Sequence, residues 1–338
     1  RPPRSTLFPY TTLFRSVNLA VEIVMYGVLN SYVDRHYSYL KAYRDDRLSD
    51  GYKRDLFNNI KNIFISRLSV KALTGTDNLI ISGVISVVIN GRYNNYVLIT
   101  NSVVNVVNSA ANAIQPTLGN RFLSKDVDED YRELRQISFL FFSIAAVVTS
   151  CLIPLMPIFV GDFWLNESYM LNTRTEVLLS VQIAVLIIGI PLSIVMNVSG
   201  MFEKERIVSV VTAIINIVVS LVLAFIVGLD GVIIGTIVSL SIQMIMRLFY
   251  FFREHLHRSA GQYIGDMLVY VLLIAIEGAI SVYLVDTWVY TPRSVTGLLL
   301  SIALCALLPC GINLLLFFKT WRFKSIVELI RINFLKNK

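Results

Sequence analysis

Apolar windows long enough to cross a bilayer recur along this chain, at about 63–90, 94–119, 136–160, 176–200, 206–228, 230–252, 266–286 and 296–318, with a shorter one at 17–33. About 20 residues of helix cross the hydrocarbon, and only helices and closed barrels satisfy their own backbone there. With 55% hydrophobic and 16% charged residues and a mean hydropathy of +0.65, the chain is too apolar for an ordinary soluble domain. It is also too evenly apolar for a single anchor. The expected fold class is an all-α polytopic membrane protein.

Basic residues alternate between the two sides of these windows. The segments 34–68, 120–135, 201–206, 247–258 and 319–338 hold 23 Lys and Arg, whereas the intervening loops hold three, Arg92, Arg174 and Arg293. Positive loops stay cytoplasmic, which places the loop after 33 and the C-terminus inside. The net charge of +7 therefore reads as topology. Nucleic acid is excluded as a partner because the charge is spread over five loops and not clustered on one fold.

The polar residues inside the windows are patterned. Asn94, Asn101, Asn105, Asn108, Asn112 and Gln115 are separated by seven, four, three, four and three residues, which returns them to one face of a helix. A buried amide without a partner costs roughly 1–3 kcal/mol, so the row must face other helices or a water-filled cavity. Amides offer donors and acceptors to hydroxyl-rich ligands without a charge to desolvate. Window 63–90 has its own polar face in Lys71, Gly75, Asn78 and Ser82, with Asp77 well round the helix from Lys71. Ser209, Thr212, Asn216 and Ser220 repeat the theme in 206–228. Gly231 and Gly235, four apart, suit close helix approach.

The ionisable residues at depth carry specific expectations. Lys71, about two turns inside its window, is a candidate for an anionic phosphate group or a lysine snorkelling to the headgroups. Asp77 and Glu277 are candidates for a coupling proton or cation, with pairing to another helix the alternative for Glu277. Arg67 reads as a topology anchor. Cys151, Cys305 and Cys310 read as small buried hydrophobes, and His36, His255 and His257 as solvated residues. No metal site and no cofactor is implied. Pro154, Pro157 and Pro191 free backbone carbonyls inside spans.

The segment 1–16 has neither helical periodicity nor the features of a signal peptide. It resembles translated sequencing-adapter read-through, and the window at 17–33 is expected to be the truncated end of a preceding lobe. Residues 34–62 form a polar connection with a helical character after Ser49-Asp50-Gly51. Residues 63–252 then make a six-helix set built from hairpins, with connections at Gly91–Tyr93 and Gly228–Gly231. Two further spans occupy 253–318. The basic tail 319–338 is expected to be an amphipathic helix on the inner membrane surface.

Four stretches carry a family resemblance, in order along 17–338. They are Lys71-Ala-Leu-Thr-Gly-Thr-Asp-Asn-Leu-Ile-Ile-Ser82, Tyr93-Asn-Asn-Tyr96 through Ala113-Ile-Gln-Pro-Thr-Leu-Gly-Asn120, Phe163-Trp-Leu-Asn-Glu-Ser-Tyr169, and Asn216-Ile-Val-Val-Ser220 through Gly228-Leu-Asp-Gly to Ser239. They resemble polysaccharide-repeat flippases (Wzx-like) of the multidrug/oligosaccharidyl-lipid/polysaccharide exporter superfamily. The resemblance implies two six-helix lobes of the MATE-like kind around a central cavity, plus two C-terminal helices, with the first lobe largely missing here. It implies a bacterial cytoplasmic membrane protein that flips undecaprenyl-pyrophosphate-linked oligosaccharide repeat units, its partners being that lipid-linked sugar, membrane lipids and a coupling cation, H+ or Na+. On that reading Asn78, Ser82, Asn101, Asn105, Asn108, Asn112 and Gln115 line the substrate cavity. Lys71 then meets the pyrophosphate.

Two rivals remain at this stage. A drug or organic-cation antiporter on the same fold would favour acids in the cavity, where this chain offers Lys71 and amides. A membrane enzyme of glycan assembly needs acid-base groups or a substantial outer domain. No histidine lies in a span and the longest outer loop, about 161–175, is short. The chain is thus read as no enzyme.

Overall fold

The structure is a computed structural model, and it describes residues 9–39, 49–122, 126–289 and 294–324. Those residues form α1 (Pro9–His36), α2 (Asp50–Ile80), α3 (Val87–Phe122), α4 (Val127–Ile158), α5 (Thr173–Val198), α6 (Phe202–Val227), α7 (Leu229–Tyr250), α8 (Gly261–Leu284) and α9 (Val295–Phe317). Eight helices are long and apolar enough to cross a membrane: α1 from Ser16, and α3 through α9. The expectation of an all-α polytopic membrane protein is met at that level.

Three sequence-based boundaries move. Window 63–90 is not one of the eight spanning helices, because Arg67, Lys71, Asp77 and the small polar residues between them dilute its apolarity. Its helix, α2, loosens into a π-helical turn at Ile81–Ile85, and the chain breaks at Ser86, which is extended with φ −173° and ψ 139°. The break was expected at Gly91–Tyr93, yet these residues lie inside α3. Ser86 supplies the start that Gly91 was thought to mark, its Oγ accepting the Val88 N–H at 3.2 Å. Finally, α1 extends back to Pro9, so the segment 9–16 belongs to a helix although its sequence lacks periodicity. Extending an existing helix needs no nucleation, and proline is tolerated in a first turn.

The described residues fall into two compact units, one up to Phe57 and one from Asn58 onward. In the first, the side chains of α1 from Ser16 onward are exposed, including Leu19, Ile23 and Tyr26. Ser49 opens α2, its Oγ accepting the Tyr52 N–H at 3.4 Å, and Asp50 pairs with Lys53 at 3.3 Å, in line with the helical character expected there.

In the second unit the helix ends have chemical causes. Asp126 caps α4 by accepting from the N–H groups of Asp128 and Glu129, Asn172 caps α5 through Thr175 at 2.8 Å, and Ser294 caps α9 through Gly297 at 3.2 Å. The α5–α6 and α6–α7 turns pass through Gly200 and Gly228, both at φ 71°, a conformation that side chains disfavour. Close approach explains the other two glycines of interest. A methyl on Gly235 would sit 2.7 Å from the backbone of Ser220, and one on Gly231 would strike the backbone of Leu223, so α6 and α7 pack backbone to backbone.

Helix α4 is the hub. It packs on α5, α8 and α9, so the last two helices share the core of the preceding set and are not a detached appendage. Phe142 stacks on Tyr270 at 4.2 Å between ring centres, with Phe139 and Phe317 completing an aromatic cluster across α4, α8 and α9. Ion pairs and a charge-assisted hydrogen bond link the helices at one end of this unit. Arg135 and Arg322 both reach Asp266, at 2.9 and 2.8 Å, Lys204 reaches Glu254 at 2.9 Å, and Arg206 donates to Asn62 at 2.8 Å. These residues come from the segments expected to share one side of the membrane, and they do share one end of the bundle.

Two local expectations are corrected. His255 is not simply solvated, because its Nε2 lies 2.7 Å from Asp130 Oδ2 and its ring stacks on Phe251. Of the cysteines only Cys305 is buried, Cys151 being half-buried and Cys310 exposed on α9. Residues 325–338, most of the tail expected to be an amphipathic helix, lie outside the described residues.

Candidate functional site

The predicted amide face of α3 borders a cavity of about 1120 Å³ between α2, α3, α5 and α7, with the first turn of α6 at its edge. That exceeds the roughly 300–1,000 Å³ of ordinary small-molecule pockets. Asn94, Asn101, Asn105, Asn108, Asn112 and Gln115 all line it. From Asn94 to Gln115 the helix rises about 32 Å, close to the ~30 Å thickness of bilayer hydrocarbon. Asn101, Asn105, Asn108 and Asn112 are exposed as well as lining the cavity, so they are not consumed as bonds between helices.

The facing walls continue the polar chemistry. Lys71, Arg67, Asn78 and Asp77 line the cavity from α2, Gln182, Ser193 and Asn197 from α5, and Thr236, Gln243 and Arg247 from α7. Ser82 does not line it. Four residues beyond Asn78 on an ideal α-helix, Ser82 would fall on the same face, but the π turn at Ile81–Ile85 changes the register and rotates it away. Glu277 is also elsewhere, fully buried on α8. Arg67, expected to be a topology anchor, is part of the wall.

Asp77 sits at an oxygen-rich corner. Its carboxyl is 5% exposed, with Oδ2 3.2 Å from the Thr236 hydroxyl and Oδ1 without a hydrogen-bond partner. Thr236 accepts from the Asn216 amide at 3.0 Å and has one proton for either Asp77 or the Val232 carbonyl, each at 3.2 Å. Asn216 Oδ1 and Thr212 Oγ1 are likewise buried and unpartnered. Unsatisfied buried oxygens at native sites are places for water or a cation.

Each end of the helices around the cavity carries a buried polar contact. Toward the ion-pair end, Glu205 in the first turn of α6 holds Arg247 in the last turn of α7 by a two-point contact, Nε to Oε2 at 3.0 Å and Nη2 to Oε1 at 2.5 Å. Both border the cavity and are 7% exposed. Toward the other end the Tyr96 hydroxyl donates to Glu176 at 2.6 Å and accepts the Leu171 N–H at 3.1 Å, and Thr175 bonds Asp230. Sequence reasoning did not single out these residues. In sequence Arg247 reads as a loop charge, and the pairing of Glu205 with it across 42 positions leaves no local signal.

Comparison with family models, with curated proteins and with solved structures returns no match. What fold and site define is a class: a polytopic helical membrane protein with a large amide-lined cavity.

Proposed function

We propose that this chain belongs to a transporter that passes the sugar head of an undecaprenyl-pyrophosphate-linked oligosaccharide across the bacterial cytoplasmic membrane, its lipid tail remaining in the bilayer. The observation that carries this reading is the row of exposed amides along α3, which lines a cavity for about the thickness of the hydrocarbon. Amides can trade water for sugar hydroxyls at little net cost. Three basic residues against two acidic ones on the wall, Arg67, Lys71 and Arg247 against Asp77 and Glu205, suit an anionic head better than the organic cations of a drug antiporter. Lys71 is the residue assigned to the pyrophosphate. The oxygen corner at Asp77 is assigned to the coupling cation, H+ or Na+, and alternating access of two lobes is the mechanism.

Single cysteines at Asn101, Asn105, Asn108 and Asn112, in a chain whose native cysteines are replaced, test the reading. In membranes these positions react with a water-soluble maleimide, while Val106, exposed on the opposite side of α3, does not. Protection of all four positions from reagent on both membrane sides would overturn it.

A further inference from the structure

A second set of buried polar groups lies outside the cavity, where α4, α8 and α9 meet. Glu277 is fully buried, as is Ser281 one turn further along α8, and Asn313 of α9 is 6% exposed. The Asn313 amide lies beside the Glu277 carboxyl. Cys305 likewise adjoins Ser281, yet no hydrogen bond of ordinary geometry reaches either carboxylate oxygen, either polar atom of Asn313 or the Ser281 hydroxyl. Register supplies the α4 side. Ile153 meets Gly278, the residue next to Glu277, which places Thr149 and Ser150, buried and also unpartnered, at this level.

Two prolines add acceptors. Pro154 in α4 and Pro309 in α9 have no N–H for the carbonyls of Ser150 and Cys305, the residues four before them. The helices therefore gather a carboxylate, an amide and hydroxyls in one dry region, with the freed carbonyls of α4 and α9 along the same seam and, among the described residues, no basic side chain paired with Glu277. The other titratable groups along the α4–α8–α9 seam are Cys151 of α4, which adjoins Cys310 and Cys305 of α9, and Cys305 itself, beside Ser281. The nearest ion pairs, Arg135 and Arg322 on Asp266, are 11 residues back along α8, about 16 Å away. A carboxylate stranded in this way is costly unless one positive charge neutralises it.

We infer that Glu277, Asn313, Ser281 and the neighbouring α4 hydroxyls form a binding site for one monovalent cation, filled by Na+ or by a proton on Glu277, that ties the α8–α9 pair to α4. A single carboxylate with neutral oxygens balances one charge, and oxygen is the ligand that hard cations take. This site is independent of the cavity and of the function proposed for it.

The test uses the purified full chain carrying Asp77→Asn, so that the cavity carboxylate cannot contribute. Exchanging choline chloride for sodium chloride at constant ionic strength raises the thermal midpoint by a few degrees at alkaline pH. The gain fades as pH falls and protons compete, and it is absent when Glu277→Gln is added. If the occupant is the proton alone, sodium has no effect, and a protonated-carboxyl infrared band persists to alkaline pH until Glu277→Gln removes it; this outcome also supports the site. Asn313→Leu weakens whichever response is found. A sodium response that survives Glu277→Gln, or the absence of both the response and the band, overturns the inference. Should the Gln variant not fold, the Asp77→Asn protein decides alone: an acid band that sodium removes, or one that persists to alkaline pH, supports the site, and the absence of both a sodium response and the band rejects it.

Discussion

Neutralising Glu205 leaves the guanidinium of Arg247 buried at the cavity edge with its two-point partner gone. Removing one member of a buried ion pair costs roughly 3–5 kcal/mol, because the surviving charge keeps its desolvation penalty without its Coulombic return. The pair borders a cavity that admits water, so the lower bound applies. Loss of the favourable placement at the α6 N-terminus and α7 C-terminus is included in that figure. Glu205→Gln is thus expected to destabilise the protein by about 3 kcal/mol, and Arg247→Gln by a similar amount. Independent effects would total about 6 kcal/mol in the double variant. If the pair is the reason, replacing both by apolar residues, Glu205→Leu with Arg247→Met, should fall within about 1 kcal/mol of the unaltered chain. Denaturant unfolding in mixed micelles, followed by far-UV circular dichroism, measures all four proteins. A single-variant cost below about 1 kcal/mol, or a double variant showing the full sum, would refute the reasoning.

Three further outcomes are expected. Gly235→Leu should lower stability by about 1–3 kcal/mol or prevent folding, since even a first carbon there meets Ser220 at 2.7 Å; a thermal midpoint equal to that of the unaltered chain would contradict backbone contact between α6 and α7. Tyr96→Phe should cost about 1–3 kcal/mol by stranding Glu176 and the Leu171 N–H, and hydrogen exchange at Leu171 should rise; unchanged exchange would dismiss the contact. On the function proposed above, Lys71→Ala should abolish repeat-unit export while Lys71→Arg retains part of it. Equal export by Lys71→Ala and the unaltered protein would reject its phosphate role.

The amide row was legible because helical period is a local property. Spacings of three, four and seven put Asn101 through Gln115 on one face whatever surrounds them, and desolvation cost rules out lipid as the neighbour on that face. The same logic misplaced Ser82, because period arithmetic holds only while the helix stays α, and the π turn at Ile81–Ile85 lies between it and Asn78. It also put the α2–α3 break at Gly91, where composition is loop-like, and not at Ser86, where a single hydroxyl caps the next helix.

What period cannot give is the neighbour. Arg247 and Glu205 are each ordinary as sequence, a basic residue near the end of a span and an acid near the start of another, which is the pattern of loop charge and of dipole complementarity alike. Only the α6–α7 packing, with Gly231 and Gly235 against Leu223 and Ser220, brings them to one point. Asp77 and Glu277 differ for the same reason. Both are intramembrane acids in sequence terms, yet Asp77 sits on the cavity wall with a hydroxyl partner, whereas Glu277 is sealed among three helices with none. On the assignments proposed above, a cation at the first would exchange with whatever fills the cavity. The second can do so only if α8 or α9 parts from α4, which makes its occupancy a property of helix packing and not of substrate passage.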